Sequence, residues 1–479
     1  MLLKGSKIGS FCSATAIAIV LPMPAWAICP ADLPAAIATI ANQPELARAR
    51  LGVQVKTLTG EEILNREGDR FFVPASTLKL LTTAAVLTEL GPEHTLQTSI
   101  LQATTADGRT LITVAGGGDP SFGQAELEAI ADQLALRNLD FIEVLYGDES
   151  AFPGTAVNPN WEWEDVRAGY GAPVNALIFN ENEIGLNLTP QGLGEPLQVL
   201  WDQPEQAASW TIENNSTTVA GGELEFIDVG RDLGQPILRV AGQLAAGSSS
   251  EITSIAEPHP GRAFLAQLQR TLRQRDIDVR QTQLSPPPVS HDWQLLTVIE
   301  SPPLAELLIP ANQSSNNLYA EALLKTLGRQ QTEATDVTDA GIAIARQTLQ
   351  TLGVDIDGLV MMDGSGLARK NLVTPQAMVD VLQAMARSPD ANVYRNSLAV
   401  AGVSGTLRNR WRDTPVEGRL YGKSGAISRN FTLAGYLEPP SYEPLVFSIF
   451  INNINARGSI ARPIIDDIVL RIAALEPCS

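Results

Sequence analysis

The chain has 479 residues, of which 34 are basic and 53 acidic, so its formal net charge is −19 at neutral pH. This excess of acidic residues argues against a nucleic-acid-binding protein, which needs concentrated positive charge, and against binding to anionic lipid surfaces. The three histidines, at positions 94, 259 and 291, do not lie near any motif described below. A Ser-His-Asp triad or a histidine-rich metal site is therefore not expected, and no motif predicts a cofactor.

Residues 1–27 have the pattern of a secretory signal peptide. Two lysines precede an apolar run, and the segment ends in Ala25-Trp26-Ala27, a small-x-small cleavage signature. A retained membrane anchor is the alternative, but Pro22 and Pro24 interrupt a run that is well short of the ~20 residues a spanning helix needs. We expect cleavage after Ala27, no stable membrane anchor, and a location in the periplasm or the cell-wall space.

Two cysteines remain after cleavage, Cys29 and Cys478, one near each end of the chain. An even pair in an oxidising compartment predicts a disulfide that joins the termini. Two unpaired thiols are the alternative. Lipidation of Cys29 is disfavoured because the bulky Ile28 precedes it.

Residues 51–66 alternate apolar and polar side chains around Thr59-Gly60, which predicts a β-hairpin. The hairpin leads into a predicted helix that Pro74 opens and that carries Ser76 and Lys79 as S-x-x-K. Because residues three apart share a helix face, the lysine amine can reach the serine hydroxyl and act as its base without any histidine. The motif also arises by chance, as a helix cap followed by a solvated lysine.

A long segment rich in short alternating strands and turns follows, from residue 99 to residue 289. We predict one or two inserted β-rich domains here. The insertion would divide a catalytic domain into an N-terminal part, residues 28–98, and a C-terminal part, residues 290–479.

The C-terminal part begins with helices and ends with strands. Helices are predicted at 304–308, 318–327 and 340–352, and another begins with Thr374 as N-cap and Pro375 at the first position. Strands are predicted from Lys423, at 431–437 and at 445–451, followed by an amphipathic helix at 464–475. Strands at both ends of the chain, with helices between, indicate one antiparallel sheet built from both parts.

Two further motifs accompany S-x-x-K: Ser314-Ser315-Asn316 as S-x-N, and Lys423-Ser424-Gly425 as K-S-G. Each has a plain alternative, since Ser314 and Asn316 suit a cap or turn and Lys423 suits an exposed strand position. Together, the three motifs stand in the order found in penicillin-recognising serine enzymes.

The chain resembles the D-alanyl-D-alanine carboxypeptidase/endopeptidase family of class C low-molecular-mass penicillin-binding proteins. The resemblance covers essentially the whole mature chain, and recurring segments are matched at 116–120, 147–152, 170–177, 363–369 and 401–407. It implies an α/β (α+β) fold, with a β-lactamase/transpeptidase-like catalytic domain built on a five-stranded antiparallel sheet with flanking helices. Two departures are Ser315, where aspartate is common, and Ser424, where threonine is common.

Chemistry and this resemblance together assign roles to the motif residues. Ser76 is the expected nucleophile and Lys79 its neutral base, with Ser314 relaying the proton to the leaving nitrogen. Asn316 is expected to hold Lys79 and the substrate amide, and Lys423 to attract the terminal carboxylate of the substrate.

The remaining expected site residues bind the substrate. The backbone N–H groups of Ser76 and Ala426 would form the oxyanion hole. Ser424, with Gly425 beside it, would bind the terminal carboxylate, and Arg369 is either a contact to a substrate side chain or a surface arginine after a glycine-rich turn. The implied partners are peptidoglycan stem peptides and, as acylating inhibitors, β-lactam antibiotics.

Three alternatives remain at the level of sequence. A serine β-lactamase shares the motifs, and residues 183–187 spell its E-x-x-L-N, although before S-x-N and not after it. A non-catalytic cell-wall binding protein would keep the fold without the activity. Gly418, Gly422 and Lys423-Ser424 nearly spell a nucleotide-binding P-loop, but the spacing is one residue short.

Overall fold

The computed structural model describes residues 27–478. The predicted signal peptide, apart from its last residue, lies outside this part. Within it, the helices are α1 Leu33–Ala41, α2 Lys79–Leu90, α3 Gln124–Ala135, α4 Pro260–Arg273, α5 Leu304–Asn312, α6 Asn317–Gly328, α7 Val337–Thr351, α8 Pro375–Ala386, α9 Ala391–Asn396 and α10 Gly458–Ala473.

The strands are short, and most belong to the insertion. They are β1 Arg50–Thr57, β2 Glu62–Arg66, β3 Gln97–Thr104, β4 Thr110–Ala115, β5 Phe141–Asp148, β6 Glu183–Thr189, β7 Gln198–Trp201, β8 Thr211–Val219, β9 Phe226–Arg231, β10 Ile237–Ala245, β11 Glu251–Ala256, β12 Asp278–Leu284, β13 Gln294–Glu300, β14 Leu359–Val360, β15 Leu372–Val373, β16 Ala399–Val400, β17 Leu420–Ile427, β18 Asn430–Leu437 and β19 Leu445–Asn452.

The two ends of the chain build one antiparallel sheet, in the order β16-β17-β18-β19-β1-β2. Strands β17 to β19 with the β1–β2 hairpin are the five predicted strands, and the two-residue β16 adds a sixth at the edge. The fold class predicted from the sequence is therefore confirmed, with this one addition.

Both faces of the sheet are covered by helices. Along β19, Val446 and Phe450 pack with α2 and α8, whereas Phe447 and Ile449 pack with α1 and α10. This alternation follows from the two-residue period of a strand, and it explains why every residue of β18 and β19 is buried.

The two ends of the described residues meet beside α10. The N–H of Ile28 donates to the carbonyl of Ala474 (2.9 Å), and the N–H of Glu476 donates to that of Ile28 (3.1 Å). Cys29 and Cys478 are joined by a disulfide, with their Cα atoms 5.6 Å apart.

The insertion contains two units of different architecture. In the first, a mixed sheet β12-β5-β4-β3-β13 packs against α3 and α4. Its pairs β4–β5 and β5–β12 are parallel, so this five-stranded unit with its two helices is an α/β layer. The second unit consists of two three-stranded sheets, β11-β6-β7 and β8-β10-β9.

The sheet of the first inserted unit extends past the boundaries that were predicted for the insertion from the sequence. Strand β13, at 294–300, pairs with β3, which begins at residue 97. The hydrogen-bonded sheet therefore spans 97–300, a wider range than the predicted 99–289. The alternation of apolar and polar residues in β13 does not show that this strand pairs with β3 of the insertion.

The remaining helices, α2 and α5 to α9, form a layer against one face of the six-stranded catalytic sheet. The four helices predicted in this region are confirmed, and the Thr374 hydroxyl caps α8 by accepting from the N–H of Ala377. Within residues 27–478, no helix combines the length and apolar character needed to cross a bilayer.

Candidate active site

Ser76 lies in a single 3-10 turn, Ala75–Leu78, that continues directly into α2. The carbonyl oxygen of Pro74, before this turn, accepts hydrogen bonds from the hydroxyls of Thr77 (2.7 Å) and of Thr432 on β18 (2.8 Å). The turn is thereby fastened to the sheet. Ser76 is half-buried at the floor of a cleft between the sheet and the helical layer.

Lys79 is fully buried one helical turn from Ser76. Its Nζ lies 3.2 Å from Ser76 Oγ, 2.7 Å from Asn317 Oδ1 and 2.7 Å from the carbonyl oxygen of Ser365. Two strong acceptors thus fix the amine while it contacts the serine hydroxyl. This is the geometry that a lysine base needs.

The electrostatics of Lys79 suit the same role. Burial lowers the pKa of Lys79 to about 7, against the opposing effect of the nearby carboxyl groups of Asp363 and Glu321. A substantial fraction of the amine is therefore neutral near neutral pH. The neutral state expected of Lys79 is thus consistent with its burial, which is the main cause of the lowered pKa.

Two buried acidic residues lie behind Lys79. Glu321, on α6, accepts from the N–H groups of Gly364 (3.0 Å) and Ser365 (2.8 Å). Burial, and then the charge of Asp363, raise the pKa of the Glu321 carboxyl. These contacts hold the segment whose carbonyl orients Lys79. Sequence analysis missed Glu321, because an acidic residue within a predicted helix carries no distinguishing signal.

Asp363 organises the same segment from its other side. Its carboxylate accepts from the N–H groups of Gly366 (2.8 Å) and Ala368 (2.6 Å), from the amide of Asn371 (2.8 Å) and from the indole N–H of Trp161 (2.9 Å). Trp161 belongs to the insertion, so the insertion supports the catalytic cleft through this contact.

The S-x-N motif was assigned one residue too early. Asn316, predicted to hold Lys79, is the N-cap of α6: its Oδ1 accepts from the N–H of Tyr319 (3.1 Å), and its amide donates to Glu181 Oε2 (2.5 Å). Asn317 makes the contact to Lys79 instead. An N-cap side chain turns back toward its own helix, whereas the next residue is free to face the cleft.

The serine of the motif shifts in the same way. Ser314 is exposed and does not line the cleft, whereas Ser315 lines it beside Ser76. Ser315 has a left-handed φ of 63°, which marks the sharp turn between α5 and α6. The motif in the structure is therefore Ser315-Asn316-Asn317, and the departure from aspartate noted at Ser315 does not apply.

The K-S-G motif lies on β17, on the opposite wall of the cleft. Lys423 is fully buried, and its Nζ donates to the carbonyl of Ser424 (2.9 Å). Burial, and then the neighbouring Lys79, lower the pKa of Lys423 well below its usual value. The Ser424 hydroxyl lies 2.8 Å from that of Thr406, a second hydroxyl on the same wall that sequence analysis did not identify.

β17 passes close to the backbone of Ser76. β16 pairs only with Tyr421 and Gly422, so the edge of β17 beyond them faces the nucleophile turn. A Cβ on Gly425 would lie 2.9 Å from the amide nitrogen of Ser76 and 2.3 Å from Thr432 Oγ1. Only glycine fits here, and Ala426, the next residue, lines the cleft beside Ser76.

The cleft has two arms that meet at Ser76, Ser315 and Ala426. The larger arm has a volume of about 690 Å³ and runs past Ser424 and Thr406 toward the first turn of α10. The smaller arm has a volume of about 370 Å³ and runs along the insertion.

Arg369 lies in the smaller arm, with Asp165 and Tyr170. Its guanidinium pairs with Glu162 and donates to Ser428 Oγ (2.9 Å). The Tyr170 hydroxyl donates to Asp165 Oδ1 (3.1 Å), whereas Asp165 Oδ2 is buried and has no hydrogen-bond partner among the described residues. Arg369 is thus part of the cleft but is already paired with Glu162. Neither a free contact to the substrate nor a plain surface arginine, its two predicted roles, describes this arrangement.

Within residues 27–478, no cluster of histidine, cysteine, aspartate and glutamate side chains is arranged to hold a metal ion. Glu183 of the E-x-x-L-N coincidence lies on β6 and accepts from Ser254, in the insertion.

Known proteins share this sequence and fold. The chain is 34% identical over 458 residues to a D-alanyl-D-alanine carboxypeptidase of Actinomadura sp. (strain R39), covering 91% of this chain and 84% of that protein. The structure superposes on penicillin-binding protein 4 (DacB) of Haemophilus influenzae with a TM-score of 0.77 at 24% identity, covering 91% and 98% of the two chains. The structure of the same Haemophilus protein complexed with a β-lactam superposes with a TM-score of 0.73 at 23% identity, covering 92% of this chain and 99% of that chain.

The D-Ala-D-Ala carboxypeptidase 3 (S13) family matches residues 33–475, nearly the whole chain. The family and the fold predicted from the motifs are thus confirmed. The chain belongs to the D-Ala-D-Ala carboxypeptidase 3 (S13) family, and it is a serine D-Ala-D-Ala carboxypeptidase.

Proposed function

We propose that this carboxypeptidase cleaves peptidoglycan stem peptides through an acyl-enzyme on Ser76, in the periplasm or the cell-wall space, and that penicillins acylate the same serine. The observation that carries the proposal is the buried Lys79 amine, held by Asn317 at 3.2 Å from Ser76 Oγ. The β-lactam complex of the Haemophilus protein supports the penicillin step.

Acylation begins when Ser76 Oγ attacks the carbonyl carbon of the bond between the two D-alanines. Neutral Lys79 takes the hydroxyl proton, and the N–H groups of Ser76 and Ala426 stabilise the developing oxyanion. The C–N bond then breaks, and the leaving nitrogen takes a proton relayed from Lys79 through Ser315. Water hydrolyses the ester in the second half of the reaction.

The substrate carboxylate is bound on the β17 wall. The hydroxyls of Ser424 and Thr406, 2.8 Å apart, are positioned to donate to it, with Lys423 buried behind them. An incoming carboxylate favours the protonated form of Lys423, so substrate binding offsets part of the burial that lowers its pKa. A peptide that lacks the free carboxylate would not provide this compensation.

The experiment combines two readouts on the mature protein: D-alanine release from a pentapeptide, and intact mass after exposure to a penicillin. The wild type is expected to release D-alanine and to carry one stable adduct, and Ser76→Ala should lose both. Ser314→Ala is the matched control, because this neighbouring serine is exposed outside the cleft.

Each alternative has its own outcome. Rapid turnover of the penicillin without a stable adduct would identify a β-lactamase. The absence of both adduct and D-alanine release in the wild type would leave a non-catalytic cell-wall binding protein.

A further inference from the structure

The larger arm of the cleft has more room than a carboxypeptidase reaction needs. The leaving group in that reaction is one D-alanine, whose carboxylate the hydroxyls of Ser424 and Thr406 would bind close to Ser76. The arm continues beyond them to the first turn of α10, and its volume of about 690 Å³ matches sites for far larger ligands. The additional space lies on the side where the leaving group departs.

The far end of this arm carries two arginines that form no ion pair with any described side chain. Arg408 follows the turn that contains Thr406, and Arg462 is on α10; both are exposed and line the arm. Among the side chains that the structure describes, no carboxylate lies within 4.0 Å of either guanidinium. Asp466, which also lines the arm, is paired with Arg410, and the charge of Arg462 acts on it from a longer distance. The Arg462 guanidinium packs over Gly458, 3.5 Å from the position of a Cβ there.

These two arginines form a local positive region in an acidic protein of net charge −19. Unpaired guanidinium groups along one wall of a cleft attract carboxylates, which they bind in bidentate geometry. A single D-alanine offers one carboxylate, which the β17 wall already receives. A longer leaving group with further carboxylates would reach the arginines.

We propose that Arg408 and Arg462 form a subsite for the leaving strand of a cross-linked stem peptide, and that they favour cleavage of cross-links over release of D-alanine. This inference rests on the proposed function. The bond cut is again the amide of a D-alanine carbonyl. The leaving amine, however, belongs to a second peptide strand whose free carboxylates extend toward the two arginines.

The test compares two substrates with the full mature enzyme: a pentapeptide, scored by D-alanine release, and a synthetic cross-linked peptide dimer, scored by release of monomer. In the double variant R408Q/R462Q, the ratio of kcat/KM for the dimer to kcat/KM for the pentapeptide is expected to fall by about tenfold, as for the loss of two charge-assisted contacts. Arg48→Gln is the control and should leave the ratio unchanged, because Arg48 is likewise exposed and forms no ion pair within the described part of the chain.

A second part of the test alters the substrate. A dimer whose leaving strand has amidated carboxylates should be a poorer substrate for the wild type, with little further loss in the double variant, because the two changes remove the same contact. An unchanged ratio in R408Q/R462Q, or equal losses with the acidic and the amidated dimer, would overturn the subsite. Wild-type D-alanine release that depends on Ser76 would leave the proposed function intact in either case.

Discussion

The amide oxygen of Asn317 lies 2.7 Å from Nζ of Lys79, while its neighbour Asn316 faces away and caps α6. The two residues have the same side chain and adjacent positions, but only one touches the catalytic amine. Substituting each one separately tests whether the register found in the structure is the functional one.

Asn317→Ala removes an acceptor that holds Lys79, and the buried amine then has one partner fewer to orient it. We expect kcat/KM for D-alanine release to fall by about 100-fold, comparable to the loss of one preorganised contact in an active site. Asn316→Ala should mainly lower the stability of α6, by about 1 kcal/mol as for other N-caps. A greater loss of activity in Asn316→Ala than in Asn317→Ala would contradict the assignment.

Gly425→Ala tests the close approach of β17 to the nucleophile turn. The added Cβ would lie 2.9 Å from the Ser76 nitrogen and from the Pro74 oxygen, so β17 must move away from the turn. We expect a strong loss of penicillin acylation, measured by stopped-flow fluorescence, in a protein that remains folded by circular dichroism. Gly221→Ala is the control, because a Cβ at that position has no neighbour within 4 Å among the described atoms. Normal acylation of Gly425→Ala would show that the oxyanion hole tolerates a shift of the strand.

The disulfide between Cys29 and Cys478 closes a loop of 449 residues. In the double variant C29S/C478S we expect the unfolded state to gain conformational freedom worth about 2–4 kcal/mol, which lowers the Tm by several degrees. Activity should persist, because backbone hydrogen bonds between Ile28 and the residues after α10 still hold the termini together. Equal Tm values for the oxidised wild type and the variant, by scanning calorimetry, would show that the bond adds no stability.

Much of the fold could be predicted from sequence because its signals are local. The β1–β2 hairpin, the Thr374-Pro375 helix start and the mainly apolar strands β18 and β19 each lie within a few residues of chain. The pairing of β13 with β3 could not be predicted, because it joins segments about 200 residues apart and alternation does not identify a partner strand.

The error in S-x-N has a different cause. Ser314-Ser315-Asn316-Asn317 contains two overlapping copies of the motif, and the choice depends on the residue at which α6 begins. The helix predicted from 318 would make Asn317 the cap and leave Asn316 to face the cleft, which favours the first copy. In the structure α6 begins one residue earlier, at Asn317, so Asn316 is the cap and the second copy faces the cleft.

The buried carboxyl of Glu321 tests the electrostatics of Lys79 without touching the substrate. Its negative charge raises the pKa of Lys79, so Glu321→Gln should lower that pKa and move the acylation profile to lower pH. Glutamine keeps an acceptor for the N–H groups of Gly364 and Ser365. The measurement is the pH at which the rate of penicillin acylation reaches half of its maximum. A midpoint that moves to higher pH would contradict the assigned direction.

The most direct test of the neutral-lysine mechanism is the pH dependence of the second-order acylation rate of the wild type by a penicillin that carries no group titrating between pH 5 and 9. Only the unprotonated amine of Lys79 accepts the Ser76 proton, and burial lowers the pKa of Lys79 to about 7. The account predicts a rate that is low in acid, rises through a midpoint near that pKa and then levels off. A rate that does not rise between pH 5 and pH 8 would show that neutral Lys79 is not the base.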